Sequence, residues 1–237
     1  MTQPISERIL RAMATAAQGI RTAAGYTTDV GEHVQVAESD LAETDLPGVI
    51  LWPGTDQLAP QYGAGEKTLS VTVLAILAHG AEIPGYLVLR VLADLEEALC
   101  APVLSLPFSA GTVEVSVGAT VDGATSGAGG YVGAVLVSSG SWAGGDAAGA
   151  LTLRRLTGPG LFVSGENLTV SGVPAAKASG AGVYQTAVAR VTAGLAKGIQ
   201  YDGGGADEYP TAGQKITGVT AVFTVRYRTR PGDSYHQ

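Results

Sequence analysis

Few residues in this chain could do chemistry, and their spacing assembles no reaction centre. There are three histidines. His33 opens a short extended run, His79 precedes Gly80 after another, and His236 lies in the tail. None stands in a metal-binding spacing such as H-E-x-x-H, so each reads as an edge or surface histidine. Glycine is abundant, at 34 residues. Even so, neither the dinucleotide fingerprint nor a phosphate loop ending in Gly-Lys-Ser/Thr occurs. The run from Gly127 through Gly129, Gly130 and Tyr131 comes nearest and lacks the last glycine. Ser141 follows Gly140 but runs into Trp142, Ala143 and Gly144, which breaks the spacing of a nucleophile elbow. Glu96 and Glu97 are adjacent on a predicted helix, so they point in different directions and form no carboxylate pair. Asp202, Asp207 and Glu208 flank three glycines, read as a turn, and could hold a calcium ion between them. The EF-hand pattern is absent, however, and aspartate beside glycine is favoured in turns for backbone reasons alone. No catalytic, metal or cofactor site is expected, and the chain is not read as an enzyme.

What remains is a group of arginines. Arg226, Arg228 and Arg230 fall on one face of the last predicted strand. They either shield a sheet with solvated charge or pair with a neighbouring subunit or ring; arginine is favoured at interfaces. With Tyr209 and Pro210, just ahead of that strand, they are the candidate assembly-interface residues.

Composition limits the partners. The 237 residues can bury a sizeable core in one large domain or two small ones. Charged residues make up only 15%, and the formal net charge is −7. An acidic surface does not wrap nucleic acid, which needs clustered Lys and Arg, but it would let DNA pass without sticking. Cys100 is the only cysteine, so no intramolecular disulfide forms; it reads as a buried small hydrophobe. No stretch has the character of a signal peptide or a membrane span, and the expectation is a protein made in the cytosol that does not enter a membrane.

The elements that position these residues follow from periodicity. Ile5, Ile9, Met13 and Ala16 recur at helical spacing behind Pro4, which predicts an amphipathic helix to about Ile20. Short extended pieces follow at His33–Val36 and Gly48–Trp52. In Lys67–Leu77, residues Leu69, Val71, Val73, Ala75 and Leu77 alternate onto one face, and Leu74 with Ile76 indicates that the later half is covered on both sides. Pro84 opens a second helix with Leu87, Val91, Leu95 and Leu99 inward and Arg90, Asp94 and Glu97 on the polar face. After Pro102 the text becomes Gly, Ala, Ser, Thr and Val. Strand-like runs at Thr112–Val121, Tyr131–Val137, Ala150–Leu156 and Asn167–Val170 predict a small all-β barrel or sandwich. The first character returns with a short strand at Ile199–Tyr201. The clearest strand is Thr217–Thr229, where Val219, Ala221, Phe223, Val225 and Tyr227 share a face. The expected fold class is α+β: a mixed or antiparallel sheet packed with two helices, interrupted by a small all-β inserted domain. Residues 1–105 and 190–237 form the first domain and 106–189 the second.

The two flanks resemble the tail terminator (tail completion) proteins of long-tailed bacteriophages. The resemblance runs in order through the opening helix Ile5–Leu10 with its continuation to Asp29, then Asp45–Val49 leading to Leu51 and Trp52. It continues with the strand Leu69–Ala75, the helix end Asp94–Leu99, then Ile199–Gly204, Glu208–Pro210 and Gly218–Thr229. It covers about 140 residues, ordinary for one domain, and rests on order and spacing, since no single motif is diagnostic. The Gly-rich segment departs from the family's ordinary length and resembles small β modules of virion proteins. The resemblance implies a hexameric ring on the last ring of tail tube protein, ending tube growth and facing the head-completion or connector protein. DNA would only pass through the lumen. The place of work would be the head-proximal end of the tail in the virion, after assembly in the host cytoplasm. The alternatives are another head–tail joining or minor tail protein or, from a different class, a carbohydrate-binding β module.

Overall fold

The computed structural model describes residues 3–37, 41–59, 65–78, 83–158, 161–207, 216–230 and 232–237. Among them are three α-helices and two sheets, with strands predominating, a mixed α/β architecture consistent with α+β. The chain groups into two compact units. One holds Met1–Thr22, Tyr26–Ala101 and Ala187–Gln237; the other holds Pro102–Thr186 with Ala23–Gly25. Among the described residues no helix is long and apolar enough to cross a membrane.

In the first unit, helix α1 (Ile5–Ala17) buries Ile5, Ile9, Leu10, Met13, Ala14 and Ala17 on one stripe. Strand β1 (His33–Val36) runs parallel to β2 (Gly48–Leu58), which pairs antiparallel with β3 (Glu66–Ala78). Helix α2 (Pro84–Cys100) starts with proline at its first turn. It stops at Ala101, whose extended backbone (φ −77°, ψ 140°) is the conformation that the following Pro102 demands. Helix α3 (Ala187–Thr192) and strands β11 (Ala196–Asp207) and β12 (Ile216–Arg228) complete the unit. The five-stranded order is β1-β2-β3-β12-β11, so the long last strand is interior. It matches β3 residue for residue from Ile216 opposite Ala78 to Arg228 opposite Glu66.

Alternation then decides the faces. Leu69, Val71, Val73, Ala75 and Leu77 of β3 are buried against the helices, as are Val219, Ala221, Phe223, Val225 and Tyr227 of β12. The opposite face is covered at one end only, where Leu41, Ile50 and Ile76 are buried with Leu74, Trp52 and Leu46 against them. That small second cluster is the two-sided cover expected of the later half of β3.

Two expectations are corrected here. The glycine run Gly203–Gly205 is not a turn: β11 continues through it to Asp207, paired with Val222–Thr220 of β12. Glycine serves the ladder itself. A Cβ on Gly204 would lie 2.5 Å from the Thr220 carbonyl, and Gly203, at φ +135°, sits where the register shifts by a bulge. Asp94 is not on the polar face of α2 but fully buried. Its carboxylate accepts the backbone N–H of Thr27 (3.1 Å) and of Thr28 (2.8 Å), and both threonine hydroxyls (2.9 and 2.7 Å).

The second unit has strands β4 (Val103–Gly111), β5 (Thr120–Gly123), β6 (Gly129–Ser139), β7 (Ala147–Thr157), β8 (Asn167–Val170), β9 (Val173–Ala178) and β10 (Val183–Gln185). All neighbours are antiparallel. Pairing runs β4-β7-β6-β5-β8-β9 and returns to β4 through Phe108 opposite Ala178, which closes a six-stranded barrel; β10 adds outside β4. Closure leaves no open edge in the ring of strands and an apolar interior of Leu106, Phe108, Val121, Val132, Leu151, Leu153 and Leu168. Of the predicted run Thr112–Val121 only the end from Thr120 is strand. Gly118 takes φ +91°, which breaks the extended run before it can pair.

Glu166 ties the barrel's loops together. Its nearly buried carboxylate accepts the backbone N–H groups of Thr125, Ser126 and Val163 and the Ser126 hydroxyl. Burial alone would raise its pKa, but these donors outweigh it and hold the carboxyl below its ordinary value. A depressed folded pKa contributes stability that is present above the unfolded value, about 4.3, and lost as pH falls through the folded one. Glu166→Gln is therefore expected to unfold at lower temperature than wild type at pH 7. The gap should narrow below pH ~4; a gap constant from pH 7 to 3 in thermal melts would contradict this role.

Candidate assembly surface

The outer face of the five-stranded sheet is where the arginines stand. Even-numbered residues of β3 and β12 point there: Thr68, Ser70, Thr72, Thr220, Val222, Thr224 and Arg226, all half-exposed, with Arg228 exposed at the end. The Thr224 hydroxyl donates to Asp202 (2.6 Å) and the Thr220 hydroxyl to Asp207 (2.9 Å). The two aspartates considered for calcium are thus hydrogen-bond acceptors spread along one strand. Among the described residues no cluster of three or more His, Cys, Asp or Glu could hold a metal ion. Arg226 lines a shallow depression of about 200 Å3 with Thr68, Gln200 and Thr224. Arg228 lies opposite Glu66, whose buried carboxylate bonds the Lys197 ammonium.

Arg230 does not belong with them. β12 ends at Arg228, and Arg230 is tied to the C-terminal segment: its Nε donates to the Gln237 carbonyl (3.1 Å) and its own carbonyl accepts the Asp233 backbone N–H (3.0 Å). Tyr209 and Pro210, with Glu208 and His79, lie outside the described residues. His236 reaches Asp233 (2.6 Å) in the same segment, and His33 begins β1.

The other features of the first unit are structural. The Tyr227 hydroxyl donates to both oxygens of Asp56 at 2.8 Å, and burial, then that carboxylate, pushes its pKa far up, so it is a hydrogen-bond donor and no base. Cys100 is half-buried where full burial was expected; desolvation and then the charge of Glu96 push its thiol up to about 11. The thiolate needed for nucleophilic chemistry is scarce at neutral pH. Between α1 and the β1–β2 side of the sheet lies an open cleft of about 870 Å3. On α2, Tyr86 and Leu89 are more than 60% exposed, as is Ile83 just before the helix, a feature that the inward periodicity of the helix conceals when only its core face is sought. In the second unit, Trp142 stacks flat on Phe108, with centroids 5.1 Å apart and planes within 6°. That face of the indole is used in packing, which removes it as a platform for a sugar ring.

No protein-family model matches this sequence, and no curated protein matches it.

Proposed function

We propose that this chain is a structural virion protein of a long-tailed bacteriophage. It forms a ring that caps the tail tube, ends its polymerisation and joins the tail to the head connector. The observation that carries the reading is the sheet's outer face. It is a hydroxyl-rich surface, uncovered within its own unit over most of its length, with Arg226 and Arg228 at one end. The ordered resemblance of the flanks to tail terminator proteins supports the same conclusion. In this reading the closed barrel is an inserted module on the α+β subunit, and the acidic balance suits a lumen through which DNA slides. Arg226 and Arg228 meet acidic groups of a neighbouring subunit or of the tube.

Reversing both charges (Arg226→Glu with Arg228→Glu) is expected to block assembly while leaving the melting temperature nearly unchanged. A like charge facing a buried charge is costly, whereas in the free subunit Arg226 is half-exposed and Arg228 exposed. Deleting the gene should give filled heads without joined tails, and tails of irregular, excessive length. Tails of normal length attached to heads in the deletion strain would remove the terminator assignment and leave an accessory role in the virion.

A further inference from the structure

Arg154 is a charged residue in the buried part of β7, 5% exposed and directly opposite Tyr131 of β6. A buried charge persists only where it is paired or hydrogen-bonded. Register shifts bracket this pair on both sides. β6 carries an extra residue at Gly133, and β7 carries one next to Arg155, whose φ of +46° is left-handed. On a regular strand Arg154 and Arg155 would point to opposite faces. Here both reach one ring, with their Cζ atoms 5.9 and 5.1 Å from the Tyr131 centroid. Space is made for the buried one, since a Cβ on Gly133 would stand 2.6 Å from the Arg154 Nε. A non-glycine residue held at positive φ is strain that folds keep where a side chain has to be aimed.

The guanidinium ends on main chain. Arg154 Nη2 donates to the Ala24 carbonyl (2.5 Å), in the three-residue stretch Ala23–Gly25 that groups with the second unit from 130 residues earlier in the chain. Gly25, at φ +79°, lies against the same ring. A Cβ there would come within 2.5 Å of Tyr131 and 3.1 Å of the Arg154 guanidinium. The stretch brings no large side chain: Ala23 is exposed, Ala24 half-exposed and Gly25 buried. Apolar burial therefore contributes little to holding it, and the charged donor on a carbonyl contributes most. We infer that Tyr131 and Arg154 form a clamp and that Ala23–Gly25 is a strap, which the clamp holds closed and can release without disturbing the barrel core. Segments that open locally are those with few buried apolar contacts, and this one has that character. Release frees the chain between α1 and β1.

Amide exchange in the full chain tests this. Tyr26 reports on the strap, because its N–H donates to the Arg21 carbonyl (3.1 Å) directly after the strap ends. Leu151 and Leu153, buried on β7, report on the barrel. Arg154→Met keeps an unbranched stem and removes the donors. It is expected to speed exchange at Tyr26 at least ~10-fold, with Leu151 and Leu153 as slow as in wild type. Gly25→Val acts from the other side: it should push the strap off an intact Arg154 and give the same local acceleration. If Arg154→Met melts the barrel, Gly25→Val decides, since its barrel side chains are those of the wild type. Exchange at Tyr26 unchanged in either variant with a folded barrel overturns the clamp. Acceleration spread equally to Leu151 and Leu153 in Gly25→Val overturns it too, because the stretch would then belong to the barrel core and not to a strap.

Discussion

Phe223→Ala is expected to cost the first unit about 3–5 kcal/mol, the usual penalty for emptying a large buried aromatic site. Phe223 is fully buried in the middle of β12, between Val71 of β3 and Tyr201 of β11 in the ladder. Its ring lies 5.4 Å from that of Tyr201, tilted by 48°, so truncation loses an aromatic contact as well as apolar area. β3 pairs with β12 without a break through this point, which limits collapse into the cavity. Denaturant unfolding would read the change as a lower midpoint at unchanged slope. A variant as stable as wild type would mean that the helices do not pack on this face.

Asp94→Ala is expected to destabilise by about 1–3 kcal/mol, because the buried Thr28 N–H loses its acceptor and an orphaned buried donor costs about that much, while the exposed Thr27 N–H can turn to water. The effect should be local to the pairing of α2 with the Thr27–Thr28 segment. Asp94→Asn retains one acceptor oxygen but brings an NH2 toward donors, so it should fall between alanine and wild type. Amide exchange at Thr27 and Thr28 should accelerate first. Equal stability of wild type and Asp94→Ala would show that those donors find other acceptors.

Much of the first unit was legible because its signals are periodic. Thirteen residues of alternation in β12 and the four-residue spacing from Leu87 to Leu99 define a strand and a helix wherever they sit, and burial then follows from the face. The errors share one cause: a residue's local preference was read without its neighbour in space. Glycines between two aspartates have the composition of a turn. They became strand because β12 lies alongside and the Thr220 carbonyl comes close enough to exclude a side chain. Asp94 falls on the helical stripe expected to face water, yet the Thr27–Thr28 donors, 66 and 67 residues earlier, take it into the interior.

The sequence by itself determined the strand-rich mixture of α and β, the core faces of α2, β3 and β12, and the lack of a spaced catalytic or metal motif. Each of these is a property of residue types at fixed intervals along the chain. Tertiary structure alone decided which strands close into a barrel, since closure depends on the pairing of Phe108 with Ala178, 70 residues apart, and no local interval encodes it. It also separated Arg230 from Arg226 and Arg228, because where a strand ends depends on its partners: the ladder of β3 and β12 ends at Glu66 and Arg228 with one further bond from Thr229 to Gly65, and beyond that point the C-terminal segment claims the arginine.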